Sequence, residues 1–139
     1  MGGWNMKNEQ RWKQRFQNFE KAFQVFQRRI DEYEKAKDIE VFQMALIQAF
    51  EIILELSWKT LKDYLENEGL LVNTPKSVIR QAFQSGVIHN GEDWMEALNQ
   101  RNLTTHTYEN ETARMVLSFI DERFYSIVRD LYYDLKKEL

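Results

Sequence analysis

Between Trp12 and Tyr33, bulky apolar side chains recur at intervals of 4, 3, 4, 3, 4 and 3 residues: Trp12, Phe16, Phe19, Phe23, Phe26, Ile30 and Tyr33. A helix puts positions so spaced on one face, whereas a strand would scatter them over both sides. The remaining positions are mostly Lys, Arg, Gln and Glu. The spacing therefore predicts an amphipathic helix from about Gln10 to Lys37, with a wide aromatic seam that needs partner helices along its length. An aromatic stripe could also stack on nucleobases, but such regular spacing is what a core requires. The chain's punctuation agrees, because one Pro and five Gly in 139 residues are too few for a sandwich or barrel of short strands.

The other segments read the same way. A second helix is predicted from Asp38 or Ile39 to Glu68, with Gly69 as its stop. Phe42, Leu46, Ala49, Ile53 and Leu56 form one stripe, and Val41, Ala45, Ile52 and Leu54 widen it over most of the circumference. Such a helix is buried on more than one side. In a chain this small, that predicts a central helix that also seals a homodimer. Thr74-Pro75 reads as the cap and first residue of a short third helix that Gly86 closes. A fourth helix begins near Glu92 and carries Trp94, Met95, Leu98 and Leu103. The fifth runs from Asn110 almost to Leu139, with Ala113, Leu117, Ile120, Phe124, Ile127 and Leu131 again at 4, 3 spacing. The expected fold is all-α: one antiparallel, up-and-down bundle over 1–139, with four long helices and one short one. Residues 1–8 are expected to form a flexible tail.

Charge and composition narrow the function. The net charge is −3, so the chain as a whole is no basic nucleic-acid binder, although residues 1–37 hold nine Lys/Arg against five Asp/Glu. A basic first helix could offer phosphates a local face; a solvated helix surface is the simpler account, since charge runs are usually surface. Cysteine is absent, which excludes disulfides, thiolate metal sites and cysteine nucleophiles. The apolar run from Ile39 to Trp58 is broken by Glu40, Gln43, Gln48, Glu51 and Glu55, so no membrane span is expected. No export signal is recognisable, and a cytoplasmic protein is expected. There is no Gly-rich phosphate loop, no G-x-S-x-G, no H-E-x-x-H and no Glu-x-x-His. No metal and no cofactor are expected. A Gly-Ser followed by Asp-x-Asp is also missing, so the chain is not itself a polymerase-like nucleotidyltransferase.

Reactive groups concentrate between Asn99 and Asn110. Asn102 and His106 are four apart and share a helix face; Arg101 and Tyr108 are seven apart and share another. On a straight helix His106 lies about 140° around from Arg101. Thr104-Thr105, β-branched and able to bond the backbone, marks a place for the helix to bend or stop. A bend could bring Arg101, Asn102 and His106 together. An Arg fork suits a phosphate, an imidazole can exchange protons near neutral pH, and Asn could hold that imidazole in orientation. Those groups suit metal-free RNA cleavage, in which a base takes the 2′-OH proton and an acid protonates the leaving oxygen. One His cannot be both at once, and a twofold dimer would supply two. Tying helix ends together is the other use of the same residues. Trp94 reads as a core anchor and His89 as a turn residue. Lys76 and Arg80 share a face that could border an RNA path or simply face solvent.

Arg101-Asn102-Leu103-Thr104-Thr105-His106-Thr107-Tyr108 is an Arg-x4-His-x-Tyr motif that resembles the signature of HEPN-domain proteins of the HepT type, also called nucleotidyltransferase substrate-binding proteins. The likeness extends from about Glu9 over nearly the whole chain. It takes in the aromatic first helix, the second helix ending in Lys62-Asp63-Tyr64-Leu65-Glu66, the Thr74-Pro75-Lys76 start and Trp94. The resemblance implies a dimerising helical bundle with the motif near the dimer cleft. It implies a metal-independent ribonuclease with Arg101 and His106 as the catalytic pair and Asn102 as the polar residue beside them. It further implies a toxin whose antitoxin is a separate minimal nucleotidyltransferase of the MNT type. That partner would transfer AMP from ATP to Tyr108. The alternative implied by the same family is a non-catalytic subunit that binds the substrate, a nucleotide, for that nucleotidyltransferase.

Overall fold

The 4, 3 seam becomes the buried face of a long helix, α1 (Gly2–Lys35), and all seven of its side chains are buried. The structure, a computed structural model, describes residues 2–139; Met1 lies outside the described residues. After α1 come α2 (Glu40–Asn67), α3 (Pro75–Gln84), α4 (Gly91–Leu103), a 3₁₀ turn (Thr104–His106) and α5 (Asn110–Phe119). A π-helical turn (Ile120–Phe124) then joins α5 to α6 (Tyr125–Lys136). There is no strand among the described residues, and the fold is an all-α helical bundle.

Helix α1 lies between two antiparallel neighbours. Towards its start, Asn8 reaches the Glu66 carbonyl (3.5 Å), and Arg15 pairs with the buried carboxylate of Asp63 near the end of α2 (2.9 Å). On the other side Tyr132 donates to Glu20, and Gln27 donates to Tyr125 (3.4 Å), so α6 descends as α1 ascends. Tyr132 also stacks on Phe23, ring centroids 4.6 Å apart, and on Phe16 at 5.6 Å. The helix already runs from Gly2, and Asn8, the last residue of the segment expected to be a tail, is buried against α2. No apolar periodicity marks these residues, so the sequence pattern starts only at Trp12.

Helix ends follow local chemistry. Gly69 and Gly86 take φ of +88° and +76°, where a Cβ would be strained. Each closes a Schellman motif: Leu70 N–H bonds the Leu65 carbonyl (2.9 Å) after α2, and Val87 N–H bonds the Ala82 carbonyl (2.9 Å) after α3. Thr74 and Ser77 form a capping box at the start of α3, ahead of Pro75 at its first position.

Helix α2 is central. Leu46, Phe50, Ile53, Leu54, Leu61 and Leu65 are buried in the bundle. By length and composition it would suffice to cross a membrane, but those side chains pack against protein. Its outer face is a different matter: Val41 is 68 % exposed, Met44 61 % and Ile52 50 %.

The helices of the bundle differ in length and in winding. The fourth helix is short at 13 residues, so the bundle has α1, α2 and the rod from Asn110 to Lys136 as long members, with α3 and α4 as short ones. That rod is also not uniformly α-helical. Its π-turn widens the winding at Asp121-Glu122-Arg123, a polar triplet between core residues. Phe119, Ile120 and Phe124 are all buried on either side of it. The Phe124 ring meets Phe50 at 4.9 Å, Trp94 at 5.6 Å, Phe26 at 5.7 Å and Phe119 at 6.3 Å. Regular 4, 3 spacing continues through the turn, which is why the sequence shows no irregularity there.

Candidate functional site

Arg101 leaves the last turn of α4, and the chain then tightens. The Thr104 hydroxyl donates to the Arg101 carbonyl (2.7 Å), and the Thr107 hydroxyl to the Thr104 carbonyl (3.1 Å). Threonine oxygens thus occupy carbonyls at the point where α-helix gives way to 3₁₀ winding, the bend that Thr104-Thr105 predicted. Glu109 N–H then bonds the His106 carbonyl (3.1 Å), and the Glu109 carbonyl accepts from Ala113 as α5 starts (3.0 Å). His106 and Tyr108 sit on this connection with exposed side chains. Their rings are edge to face, with centroids 6.1 Å apart, and Tyr108 is 77 % exposed.

The bend does not assemble all the predicted groups within one chain. Among the described residues, no hydrogen bond or ion pair joins Arg101 or Asn102 to His106, so Asn102 does not orient the imidazole inside the protomer. Both Arg101 and Asn102 are exposed at the end of α4. Instead, Arg101 Nη2 lies 3.2 Å from Glu55 Oε2 on α2. The same carboxylate accepts from the Trp58 indole (3.1 Å) and sits 3.2 Å from Lys59 Nζ. Burial by itself would raise the Glu55 carboxyl. The bonds from Trp58 and Lys59 and the charge of Arg101 outweigh it and hold the group below the ordinary carboxylate value. Glu55 is thus a member of the site that no sequence motif marks; the only visible trace is its interruption of an apolar stretch, with Trp58 and Lys59 one turn further on.

Beside Tyr108 opens a cleft of about 590 Å³, with Asp38, Gln43, Met44, Thr105 and Asn110 among its walls. A second, of about 460 Å³, continues along α2 past Val41, Met44, Gln48 and Thr107. The motif connection and the exposed apolar face of α2 are therefore one surface. Another cleft, of about 670 Å³ between α3 and α4, is lined by Phe83, His89, Glu92 and Glu96 and holds none of Arg101, Asn102, His106 or Tyr108. Trp94 is buried, as expected of an anchor; His89 is exposed, 4.0 Å from Asp134; Lys76 and Arg80 face solvent. No group of His, Asp and Glu able to hold a metal occurs among the described residues.

The sequence model of the family described as nucleotidyltransferase substrate binding protein like matches residues 14–137. The chain belongs to this family. The nucleotidyltransferase substrate-binding family places the protein among relatives of two descriptions. A Haemophilus influenzae protein called probable ribonuclease HepT is 35 % identical over 83 residues, 55 % of this chain and 56 % of that relative, so the chain spans little more than half of the relative's length in the match. A solved Haemophilus influenzae structure, described as a substrate-binding domain of a nucleotidyltransferase, superposes with a TM-score of 0.78 at 24 % identity, covering 87 % of this chain and 98 % of that one. A Thermus thermophilus structure gives 0.60 at 30 % identity over 81 % and 97 %. The chain is similar to a probable HepT ribonuclease over part of its length and shares its fold with a substrate-binding domain of a nucleotidyltransferase.

Proposed function

We propose that this protein is a metal-independent ribonuclease of the HepT type, a cytoplasmic toxin held in check by a separate MNT-type nucleotidyltransferase. The observation that supports the reading is the connection from α4 to α5, where Arg101, His106 and Tyr108 are each exposed and Tyr108 lines a cleft beside the uncovered apolar face of α2. Two copies sealed along the Val41, Met44 and Ile52 face would bring two such connections together. One His106 takes the 2′-OH proton as the 2′-oxygen bonds to phosphorus. The partner copy's equivalent imidazole gives a proton to the departing 5′-oxygen as the P–O5′ bond breaks, leaving a 2′,3′-cyclic phosphate and a 5′-OH. Arg101 neutralises the charge that grows on the phosphoryl oxygens. Asn102, at the mouth of the same surface, offers further hydrogen bonds to RNA.

Single-stranded RNA incubated with purified protein in EDTA tests this. Cleavage is expected, falling about a hundredfold or more in His106→Ala and by a comparable factor in Arg101→Ala, with both variants folded. Undiminished cutting by folded His106→Ala overturns the assignment.

Tyr108 is proposed as the point of control. Its hydroxyl would attack the α-phosphorus of ATP in the partner enzyme's site, forming Tyr–O–AMP and releasing pyrophosphate. The added phosphodiester charge and adenosine would then occupy the surface that RNA needs. Mass spectrometry after incubation with the cognate nucleotidyltransferase, ATP and Mg²⁺ should show AMP on Tyr108 and none on Tyr108→Phe. The second reading, a non-catalytic subunit that binds a nucleotide for the nucleotidyltransferase, is favoured by the fold shared with a substrate-binding domain. It predicts that Arg101→Ala loses nucleotide binding while His106→Ala keeps it, and that RNA is not cut.

A further inference from the structure

Glu55 lies on a different helix from the motif, yet its carboxylate is the acidic partner of Arg101. The carboxylate is itself met by two side chains one turn further along its own helix, the Trp58 indole, which donates to it, and the Lys59 ammonium. It engages Nη2 of a guanidinium that carries five N–H donors in one plane. Nε and Nη1 have no protein ion-pair or hydrogen-bond partner among the described residues. One nitrogen of the fork is thus paired with a carboxylate while the rest stays available to an incoming anion.

We infer that Glu55 is the positioning residue of the site: it fixes the Arg101 guanidinium, through the Trp58–Glu55–Arg101 contacts, in the orientation that meets a substrate phosphate. This rests on the reading of Arg101 as the phosphate-binding group. An arginine left free at the end of α4 would have to be ordered by the substrate at each turnover, and a small error in its placement costs much of its effect. The arrangement has an electrostatic cost as well. A carboxylate beside the anion site opposes phosphate binding, so Glu55 improves orientation at the expense of ground-state attraction.

The consequence is a split that a purely structural role would not produce. Glu55→Gln keeps the size of the side chain and an acceptor for Trp58 but removes the charge that holds Arg101. Turnover of RNA is expected to fall about tenfold to a hundredfold. KM is expected to stay level or decrease, because a negative charge has left the phosphate site. Glu55→Asp, which retains the charge but withdraws it by one methylene, should recover part of the turnover. A second readout does not depend on cleavage: the ¹⁵N order parameter of Arg101 Nε–H, assigned by its loss in Arg101→Lys. It should be high in the wild type and drop below about 0.6 in Glu55→Gln. Unchanged turnover in Glu55→Gln, or turnover and KM changing only with the folded fraction, overturns the proposal. So does an Arg101 order parameter equal in both proteins. If the wild type does not cut RNA, the ribonuclease reading fails, and the order parameter alone decides whether Glu55 positions Arg101.

Discussion

Helices α1 and α2 both carry stripes of large apolar residues at helical spacing, and the two stripes meet opposite fates. The α1 stripe, from Trp12 to Tyr33, is closed by α2 and α6. On α2 the inner stripe is closed likewise, but Val41, Met44 and Ile52 stay half or more exposed although they are as apolar as anything beneath them. The difference lies in what faces each stripe, not in the residues themselves. A single bundle has enough partners for one side of a helix that is apolar nearly all round, and the remainder waits for another surface. The motif connection lies beside that open face, which couples the question of assembly to the question of activity.

The sharpest way to break the contrast is to damage the closed side. Phe124 sits among Phe26, Phe50, Trp94 and Phe119, so Phe124→Ala leaves a void that four rings must share. A loss of about 3–5 kcal/mol in unfolding free energy is expected, read from the denaturant midpoint. The corresponding truncation on the open side, Met44→Ala, should cost far less in the protomer's own unfolding free energy, because the side chain is 61 % exposed there.

A smaller effect is expected at the end of the closed seam, where Tyr64 packs edge-on against Trp12 with centroids 5.0 Å apart. Burial, with the nearby charges of Glu138 and Glu68, pushes its hydroxyl up from 10.0 to about 12. An unfolded chain releases this proton first, so between those values the unfolded state binds fewer protons than the folded one. Stability should therefore be fully present below pH 10 and fall as pH rises towards 12. Tyr64→Phe should flatten part of that fall; Tyr33 and Tyr132, raised chiefly by burial as well, supply more of it. Denaturant midpoints at pH 9 and 11 in both proteins check the sign.

The smallest change in folding stability is expected on the open face. Met44→Asp should alter the stability of the protomer by no more than about 0.5 kcal/mol, because the side chain is 61 % exposed. The same charge buried in a dimer would have no partner, so the mass by light scattering should halve. A wild-type protein that is already monomeric at micromolar concentration would remove the proposed dimer and with it the source of the second histidine.

How legible the molecule is varies along the chain. The seam from Trp12 to Tyr33, the stop at Gly69, the cap at Thr74 and the bend at Thr104 can all be read from residue types, because each depends on neighbours within about one turn or on a strict period. The helical start of α1 cannot be read so. Asn8 is buried by a bond to α2, and nothing in its sequence neighbourhood announces this. The π-turn escapes too, since the 4, 3 spacing of Leu117, Ile120, Phe124 and Ile127 fits an ordinary helix as well.

For the site the division is sharper. Sequence alone determined which groups are available for chemistry, Arg101, Asn102, His106 and Tyr108, and that the chain would kink among them, since donor inventory and threonine back-bonding are local properties. Only the tertiary structure decided their company. It turns Arg101 to Glu55, 46 positions earlier in the chain, leaves His106 with Tyr108, and sets Tyr108 beside the uncovered face of α2. An ion pair across two helices depends on their rotation and offset, which are set by the packing of whole faces. No spacing within either helix encodes that relation.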